Sequence, residues 1–173
     1  MADCISIDEV FDSDMLGMNV DDHVSSVCSY GGEMADANKW TIAGEWTGAL
    51  TDCAKWLNGR GVGARYDGTY EGSTGSSYIG SCDGYSTGTV AGLSPEAKQN
   101  IGTFIQAQLA AYEKASGWIF WTWKTESAPE WDFQALSKAG IMPQLDSIGE
   151  CNHLPVSIDE KVLTSLPDYS MCG

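Results

Sequence analysis

The sequence predicts an α/β fold whose parallel sheet is only part of a larger one. Strand-like and helix-like segments alternate along the chain, and in this order each strand normally lies parallel to the next. The three predicted strands span residues 4–11, 39–46 and 118–124. Three strands are too few to close a barrel or to build a doubly wound sheet. The pattern is therefore typical of a portion of a larger fold.

The first strand and the first helix lie at the start of the chain. Residues 4–11 alternate partly between apolar and polar side chains, which indicates a strand. Residues 13–28 carry apolar side chains at helical spacing, with Ser13 as a candidate N-cap, and predict a helix. The polar residues 29–38 include a Gly-Gly pair and predict a loop.

The second strand leads into a long segment without a regular pattern. After the β-rich run 39–46, residues 49–57 predict a short helix. Residues 58–93 are rich in Gly, Ser, Thr and Tyr and predict a loop much longer than usual connections, and such loops tend to be functional or disordered. A bond between Cys53 and Cys82 would constrain this loop.

The second helix has the clearest boundaries in the sequence. Ser94-Pro95-Glu96 combines an N-cap residue, a proline in the first turn and an acidic residue near the positive end of the helix dipole. Gly117 ends this helix, and the run 118–124 predicts the third strand. Residues 132–139 predict a last helix, and residues 141–173 are weakly patterned.

The charge balance disfavours several classes of partner. Nine Lys and Arg against 24 Asp and Glu give the chain of 173 residues a formal net charge of −15. So acidic a surface is unsuited to nucleic acid and to anionic membranes. No apolar run reaches the length of a membrane span. The first residues lack the basic and apolar regions of a signal peptide.

The six cysteines indicate disulfides more than metal binding. They form no Cys-x-x-Cys pair, and His23 and His153 lie far from any such pair, so no metal site is predicted. No nucleotide-binding motif is present, and no cofactor is expected. An even cysteine count favours an oxidising, extracellular setting, and free thiols in a cytosolic protein are the alternative.

A carboxylate at the end of the second strand is the clearest candidate for chemistry. Gly44-Glu45-Trp46 lies at the carboxyl end of a parallel strand, where active sites of such folds are found. A carboxylate beside aromatic residues suits a glycosidase, and a surface or salt-bridged Glu is the alternative. Glycosidases need a second carboxylate, and no spacing singles one out among the candidates by exposure, which are Asp8, Glu9, Glu71, Glu126 and Glu130.

Four segments together resemble a known family. They are residues 40–59, WTIAGEWTGALTDCAKWLNG; residues 63–66, GARY; residues 78–82, YIGSC; and residues 117–131, GWIFWTWKTESAPEW. In this order they resemble the fungal exo-β-1,3-glucanases of glycoside hydrolase family five, with gaps, from about residue 11 to residue 153. The resemblance implies a partial glycoside hydrolase domain over 1–153 and leaves 154–173 as an unmatched C-terminal tail.

The resemblance also implies a fold and a location. The family fold is a (β/α)8 TIM barrel, and the three predicted strands would be about strands six to eight of it. The barrel is thus incomplete in this chain. Members of the family act as secreted proteins in or near the fungal cell wall. The substrate implied is β-1,3-glucan, from whose chain ends glucose is released.

Site residues follow from the resemblance position by position. Glu45 matches the nucleophile of retaining hydrolysis. Trp121 matches the aromatic platform under the sugar, and Trp123 is a second aromatic of the same strand that we expect to be open to substrate. Asn58 matches a polar residue near the substrate, and Phe11 matches an aromatic residue that clamps a glucose unit at the cleft entrance.

Two disulfides are likewise implied by the resemblance alone. Cys53–Cys82 and Cys28–Cys151 match the two bonds of the family. Cys4 and Cys172 have no counterpart in it.

The chain departs from the family pattern in ways that bear on activity. The acid/base of the family is a Glu on strand four, which has no match here, and the strand-six pattern His-x-Tyr-x-x-Phe reads Ser6, Asp8 and Phe11. General acid catalysis is worth about 10²–10⁴-fold, so we expect weak or no activity from this chain alone. Two alternatives are a non-catalytic β-glucan-binding or decoy protein, and a chain that works with a complementing N-terminal fragment.

Overall fold

A three-stranded parallel sheet forms the centre of the computed structural model. The structure describes residues 3–5, 15–71 and 76–151. Strands β1 (Asp3–Ile5), β2 (Thr41–Trp46) and β3 (Gly117–Phe120) lie side by side in the order β1-β2-β3. Both pairings are parallel, which confirms the predicted α/β class. The rest of the first predicted strand, 6–11, lies outside the described residues.

Helix α1 (Val20–Asp36) begins and ends later than predicted. Its N-cap is Asn19, whose side chain accepts a hydrogen bond from the Asp22 N–H, and the candidate cap Ser13 lies outside the described residues. The loop predicted over 29–38 is wrong up to Asp36, because the Gly-Gly pair lies inside the helix. Gly31 lets α1 approach a second helix closely, since a Cβ there would lie 3.1 Å from the Ala111 Cα.

Helix α2 (Pro95–Tyr112) packs against α1 and against the sheet. It begins as predicted, with the Ser94 hydroxyl accepting from the Ala97 N–H. Its Tyr112 ring lies edge-on to Trp46 of β2, with 5.5 Å between centroids. Phe104 meets His23 of α1 at 5.3 Å. The buried core is therefore a layer between one face of the sheet and the two helices.

The helix predicted over 49–57 does not form. Residues 49–57 make turns, and Trp56 has a positive φ of 67°. The physical reason is that polar groups here bond to distant residues instead of to their own helix. The backbone N–H of Leu50 and the hydroxyl of Thr51 both donate to Glu130.

The long segment after this turn is irregular, as predicted. Within the described part of 58–93, the only helical piece is a 3-10 turn at Val90–Gly92. The Cys53–Cys82 disulfide ties the segment back, with 5.3 Å between the Cα atoms. A second disulfide joins Cys28 of α1 to Cys151, with 5.7 Å between the Cα atoms. These are the two pairs that the resemblance implies.

The end of the described chain follows β3 with short elements. β3 ends at Phe120, earlier than the predicted residue 124, and the Trp121–Thr122 peptide bond just beyond it is cis. A 3-10 turn at Pro129–Trp131 precedes helix α3 (Phe133–Lys138), which is close to its predicted bounds and is capped by Asp132. Another 3-10 turn covers Leu145–Ser147. No helix in the described ranges has the length and apolar character to cross a membrane.

Candidate active site

Glu45 and Trp121 lie at the same edge of the sheet. Glu45 is the penultimate residue of β2 and is exposed. The next residue, Trp46, pairs in register with Phe120, and its carbonyl oxygen accepts a hydrogen bond from the Trp121 N–H over 2.8 Å. The carboxyl ends of both strands therefore bring the carboxylate and the indole into one neighbourhood, the usual position of active sites in parallel α/β folds.

Alternation along β3 decides which aromatic rings are open to ligand. Trp118 and Phe120 pack edge-on against the buried Trp46, with centroids 5.3 and 4.9 Å away. Ile119, between these two residues, is 56% exposed, and Trp121, directly after Phe120, is 51% exposed. Because side chains of a strand alternate between faces, these two residues mark the face turned away from α1 and α2.

Trp123 offers a second exposed indole next to this edge. It is 63% exposed and lies nearly parallel to Phe133, with 5.6 Å between centroids and 25° between planes. Its carbonyl oxygen accepts a hydrogen bond from the Gln134 N–H. The ring is thus packed on Phe133 and exposed over most of its surface.

Asn58 has a structural task in the loop after β2. Its amide donates to a carboxylate oxygen of Asp52 over 2.9 Å and to the Gly63 carbonyl over 3.1 Å. Its side-chain oxygen accepts from the Arg65 guanidinium over 2.9 Å. The predicted contact of Asn58 with substrate therefore competes with bonds that the side chain already makes.

Asp52 organises this loop, a role that no sequence pattern indicated. Its side chain is 1% exposed and accepts from the backbone N–H groups of Arg65 and Tyr66 at 2.8 and 3.0 Å. The Arg65 guanidinium lies 3.5 Å away and neutralises it. A surface cleft of about 340 Å³ opens beside Asp52 and Asn58, with Lys55, Trp56 and Asp67 among its lining residues.

Glu130 is not an exposed candidate for the second carboxylate. Its side chain is 2% exposed, and its two carboxylate oxygens accept from the Leu50 N–H at 2.9 Å and the Thr51 hydroxyl at 2.6 Å. The pKa of Glu130 is raised to about 7, mainly by burial; the two hydrogen bonds oppose this shift, and the Asp52 carboxylate adds to it. A general acid must reach the leaving group, and this buried carboxyl does not.

The remaining candidates divide between exposed and undescribed positions. Glu71 and Glu126 are exposed. Phe11, Asp8 and Glu9 lie outside the described residues. Within residues 15–71 and 76–151, no group of three or more His, Cys, Asp or Glu side chains could hold a metal ion.

The roles of Asp52 and Glu130 were not predicted from the sequence. The one local signal for Glu130 is its position between Pro129 and Trp131, an apolar context that indicates a buried carboxyl. Asp52 lies next to Cys53 in a segment that was predicted to be helical. The sequence pattern therefore did not indicate that Asp52 organises a loop.

The sequence has close relatives among fungal enzymes. The chain is 55% identical over 140 residues to a glucan 1,3-beta-glucosidase of Blumeria graminis, a match covering 80% of this chain and 33% of the relative. It is 53% identical over 137 residues to a probable glucan 1,3-beta-glucosidase A of Aspergillus terreus, covering 78% and 32%. It is 49% identical over 136 residues to a glucan 1,3-beta-glucosidase of Candida oleophila, covering 79% and 31%. No protein-family model matches the chain.

These relatives are named as glycosidases. About four fifths of the chain is similar to the fungal glucan 1,3-β-glucosidases. The chain spans about a third of the length of the curated relatives it matches.

Proposed function

We propose that this chain carries the nucleophile and an aromatic sugar platform of a retaining β-1,3-glucan hydrolase. Glu45 is the nucleophile, and Trp121 stacks under the sugar whose bond is cleaved. The observation that supports this most is the exposed Glu45 at the carboxyl end of β2, one residue before the backbone bond that holds Trp121. The relatives' names support the substrate class.

The chemistry proposed for Glu45 has two steps. The carboxylate attacks the anomeric carbon and forms a glycosyl ester while the leaving oxygen departs with the bonding electrons. Water then hydrolyses the ester with net retention. The acid/base that protonates the leaving oxygen comes from the part of the family fold that this chain does not match.

The fold that would complete the site is a (β/α)8 barrel. In this proposal residues 1–153 form its last portion, with β1, β2 and β3 as about strands six to eight, and 154–173 form an appended tail. Three adjacent parallel strands with helices on one face fit an arc of such a barrel. The proposed location is extracellular, at the fungal cell wall, which the two disulfides suit.

A second candidate function is β-glucan binding without turnover. The exposed indoles of Trp121 and Trp123 favour it, because they offer flat apolar faces whether or not an acid/base is present. In that case the chain retains oligosaccharide but releases no glucose.

The experiment uses a substrate that needs no general acid. The full chain is mixed with a polypeptide carrying the part of a relative that it does not match, then incubated with 2,4-dinitrophenyl 2-deoxy-2-fluoro-β-glucoside. Dinitrophenolate leaves without protonation, and the fluorine slows hydrolysis of the ester. We expect mass spectrometry of peptides to find one glycosyl ester, on Glu45.

Matched variants separate the two candidate functions. Glu45→Gln removes the adduct, while Glu33→Gln, which alters an exposed carboxylate on α1, retains it. An adduct on a different carboxylate would refute the nucleophile assignment. Retention of laminarioligosaccharides with no adduct under any condition would favour binding alone.

A further inference from the structure

One buried residue, Glu130, holds the first part of the loop that follows β2. The Glu130 carboxylate accepts hydrogen bonds from the Leu50 N–H and the Thr51 hydroxyl, at 2.9 and 2.6 Å. The backbone carbonyl of Glu130 accepts a third from the Thr47 hydroxyl, at 3.0 Å. Thr47 is two residues beyond Glu45. The loop therefore starts close to the proposed nucleophile and is attached to Glu130 at three positions.

The 3-10 turn at Pro129–Trp131, which contains Glu130, also holds the segment that follows β3. The carbonyl oxygen of Trp131 accepts from the Thr122 N–H at 2.9 Å, and the Thr122 carbonyl accepts from the Phe133 N–H at 3.0 Å. Thr122 directly follows Trp121. The two chain segments that leave the sheet beside Glu45 and Trp121 are thus both attached to residues 130–133.

We propose that Glu130 is a positioning residue that couples the loop after β2 to the segment after β3, and through them fixes Glu45 relative to Trp121. The catalytic role of Glu45 and the sugar-binding role of Trp121 rest on the proposed function. The coupling itself does not, because it is a property of hydrogen bonds between parts of the fold.

The charge on Glu130 makes this coupling depend on pH. The titratable side chains that interact with Glu130 are Asp52, Tyr66 and Tyr85. The Asp52 carboxylate raises the pKa of Glu130. Burial raises the pKa values of Tyr66 and Tyr85, and the charge of Glu130 adds to both shifts. The Arg65 guanidinium lies against Asp52. Burial favours the neutral acid of Glu130 in the closed loop, whereas a water-exposed Glu in an opened loop ionises near its ordinary pKa of 4.5.

The closed loop becomes less stable as the pH rises, because the pKa of Glu130 is about 7 in the closed loop and 4.5 when the side chain is exposed to water. The folded pKa is raised, so the stabilisation of the closed loop is complete below pH 4.5, is lost as the pH rises to about 7, and changes no further above it. Opening of the loop therefore becomes up to about tenfold more favourable per pH unit across that interval.

Amide hydrogen exchange on the full chain tests the coupling without any ligand. Protection of the Leu50 and Thr122 amides, corrected for intrinsic exchange, is measured by NMR across this interval and above it. We expect both to lose protection together between pH 4.5 and about 7, by up to about tenfold per unit, and then to level off. Independent pH profiles of the two amides would overturn the proposal.

Two variants complete the experiment. Glu130→Gln retains the shape and an acceptor for Leu50 but does not titrate, so we expect both profiles to become flat. Glu126→Gln alters an exposed carboxylate nearby and is expected to leave both profiles unchanged. If Glu130→Gln retained the wild-type pH dependence, Glu130 would not be its source. A coupled profile without a glycosyl adduct on Glu45 would refute the proposed function and leave the coupling intact.

Discussion

Gly31 of α1 lies so close to Ala111 of α2 that a Cβ at Gly31 would come within 3.1 Å of the Ala111 Cα and 3.3 Å of its Cβ. The opposing atoms include helix backbone, which moves only if the helices separate. At Gly32, the next residue, an added Cβ would meet nothing within 4 Å. Adjacent glycines of one helix thus have different roles.

This pair gives a matched test of helix packing. We expect Gly31→Leu to lower the free energy of unfolding by about 2 kcal/mol or more, because the side chain forces α1 and α2 apart. Gly32→Leu should raise it by about 0.5–1 kcal/mol, because Gly is a poor helix former and the new side chain has space. Urea unfolding followed by circular dichroism measures both. Equal effects of the two substitutions would contradict the close approach.

His23 makes the stability of the helix layer sensitive to acid. Its side chain is 2% exposed and packs on Phe104, and burial lowers its pKa below the ordinary 6.5, with the Asp22 carboxylate opposing the shift. The unfolded chain therefore binds a proton first as the pH falls. The stability that His23 contributes is present above pH 6.5 and is lost as the pH falls from there towards its lower folded pKa.

The corresponding experiment compares pH profiles of unfolding. We expect the wild-type chain to lose more stability than His23→Gln as the pH falls below 6.5. The difference between the two profiles is the readout, since other groups titrate equally in both. Parallel profiles through this range would show that His23 does not remain neutral in the fold.

Asp52 should be among the most sensitive positions in the loop after β2. Asp52→Asn replaces one of the two carboxylate oxygens by an NH2 group. That group then faces either the Tyr66 N–H, or the Arg65 N–H and the Asn58 amide, which are donors like itself. We expect the free energy of unfolding to fall by about 2–3 kcal/mol, measured in urea. Asp83→Asn, at an exposed site, is the control and should change it by less than about 0.5 kcal/mol. A similar small change for Asp52→Asn would contradict its central place in the loop.

Trp121 gives a test of the binding surface itself. If its exposed indole stacks on sugar, Trp121→Ala should weaken laminarioligosaccharide binding by about tenfold, or roughly 1.4 kcal/mol. Trp121→Phe preserves a flat ring and should recover most of the affinity. Titration calorimetry on the full chain, alone and with the complementing polypeptide, measures both. Unchanged affinity of Trp121→Ala in both preparations would exclude the platform.

Local sequence signals predicted the elements that depend on local chemistry. Ser94 and Pro95 specify the start of α2 because the cap and the fixed φ act within one turn. The parallel order of the strands followed from their alternation with helices. The position of Glu45 at a strand end was predicted from the strand bounds, whereas Trp121 was named from the resemblance alone.

The errors arose where distant contacts decide local structure. Gly31-Gly32 indicated a loop, yet tertiary packing on Ala111 makes Gly31 favourable within a helix. Residues 49–57 had a helical pattern, but Leu50 and Thr51 bond to Glu130, about 80 positions along the chain. The disulfide pairs came from the resemblance alone, because spacing does not select among pairings of six cysteines.

The bond between Cys28 and Cys151 also bears on how the molecule matures. The two cysteines are 123 residues apart in sequence, and the Cys151 sulfur lies 3.9 Å from the Ala107 carbonyl oxygen of α2. Two cysteines so far apart in the sequence meet rarely in an unfolded chain. The bond therefore forms efficiently only once α1 and the segment at Cys151 have docked beside α2. The presence of this disulfide therefore indicates that α1, α2 and the segment at Cys151 have packed together. Electrophoresis without reductant would separate chains with the disulfide from chains without it.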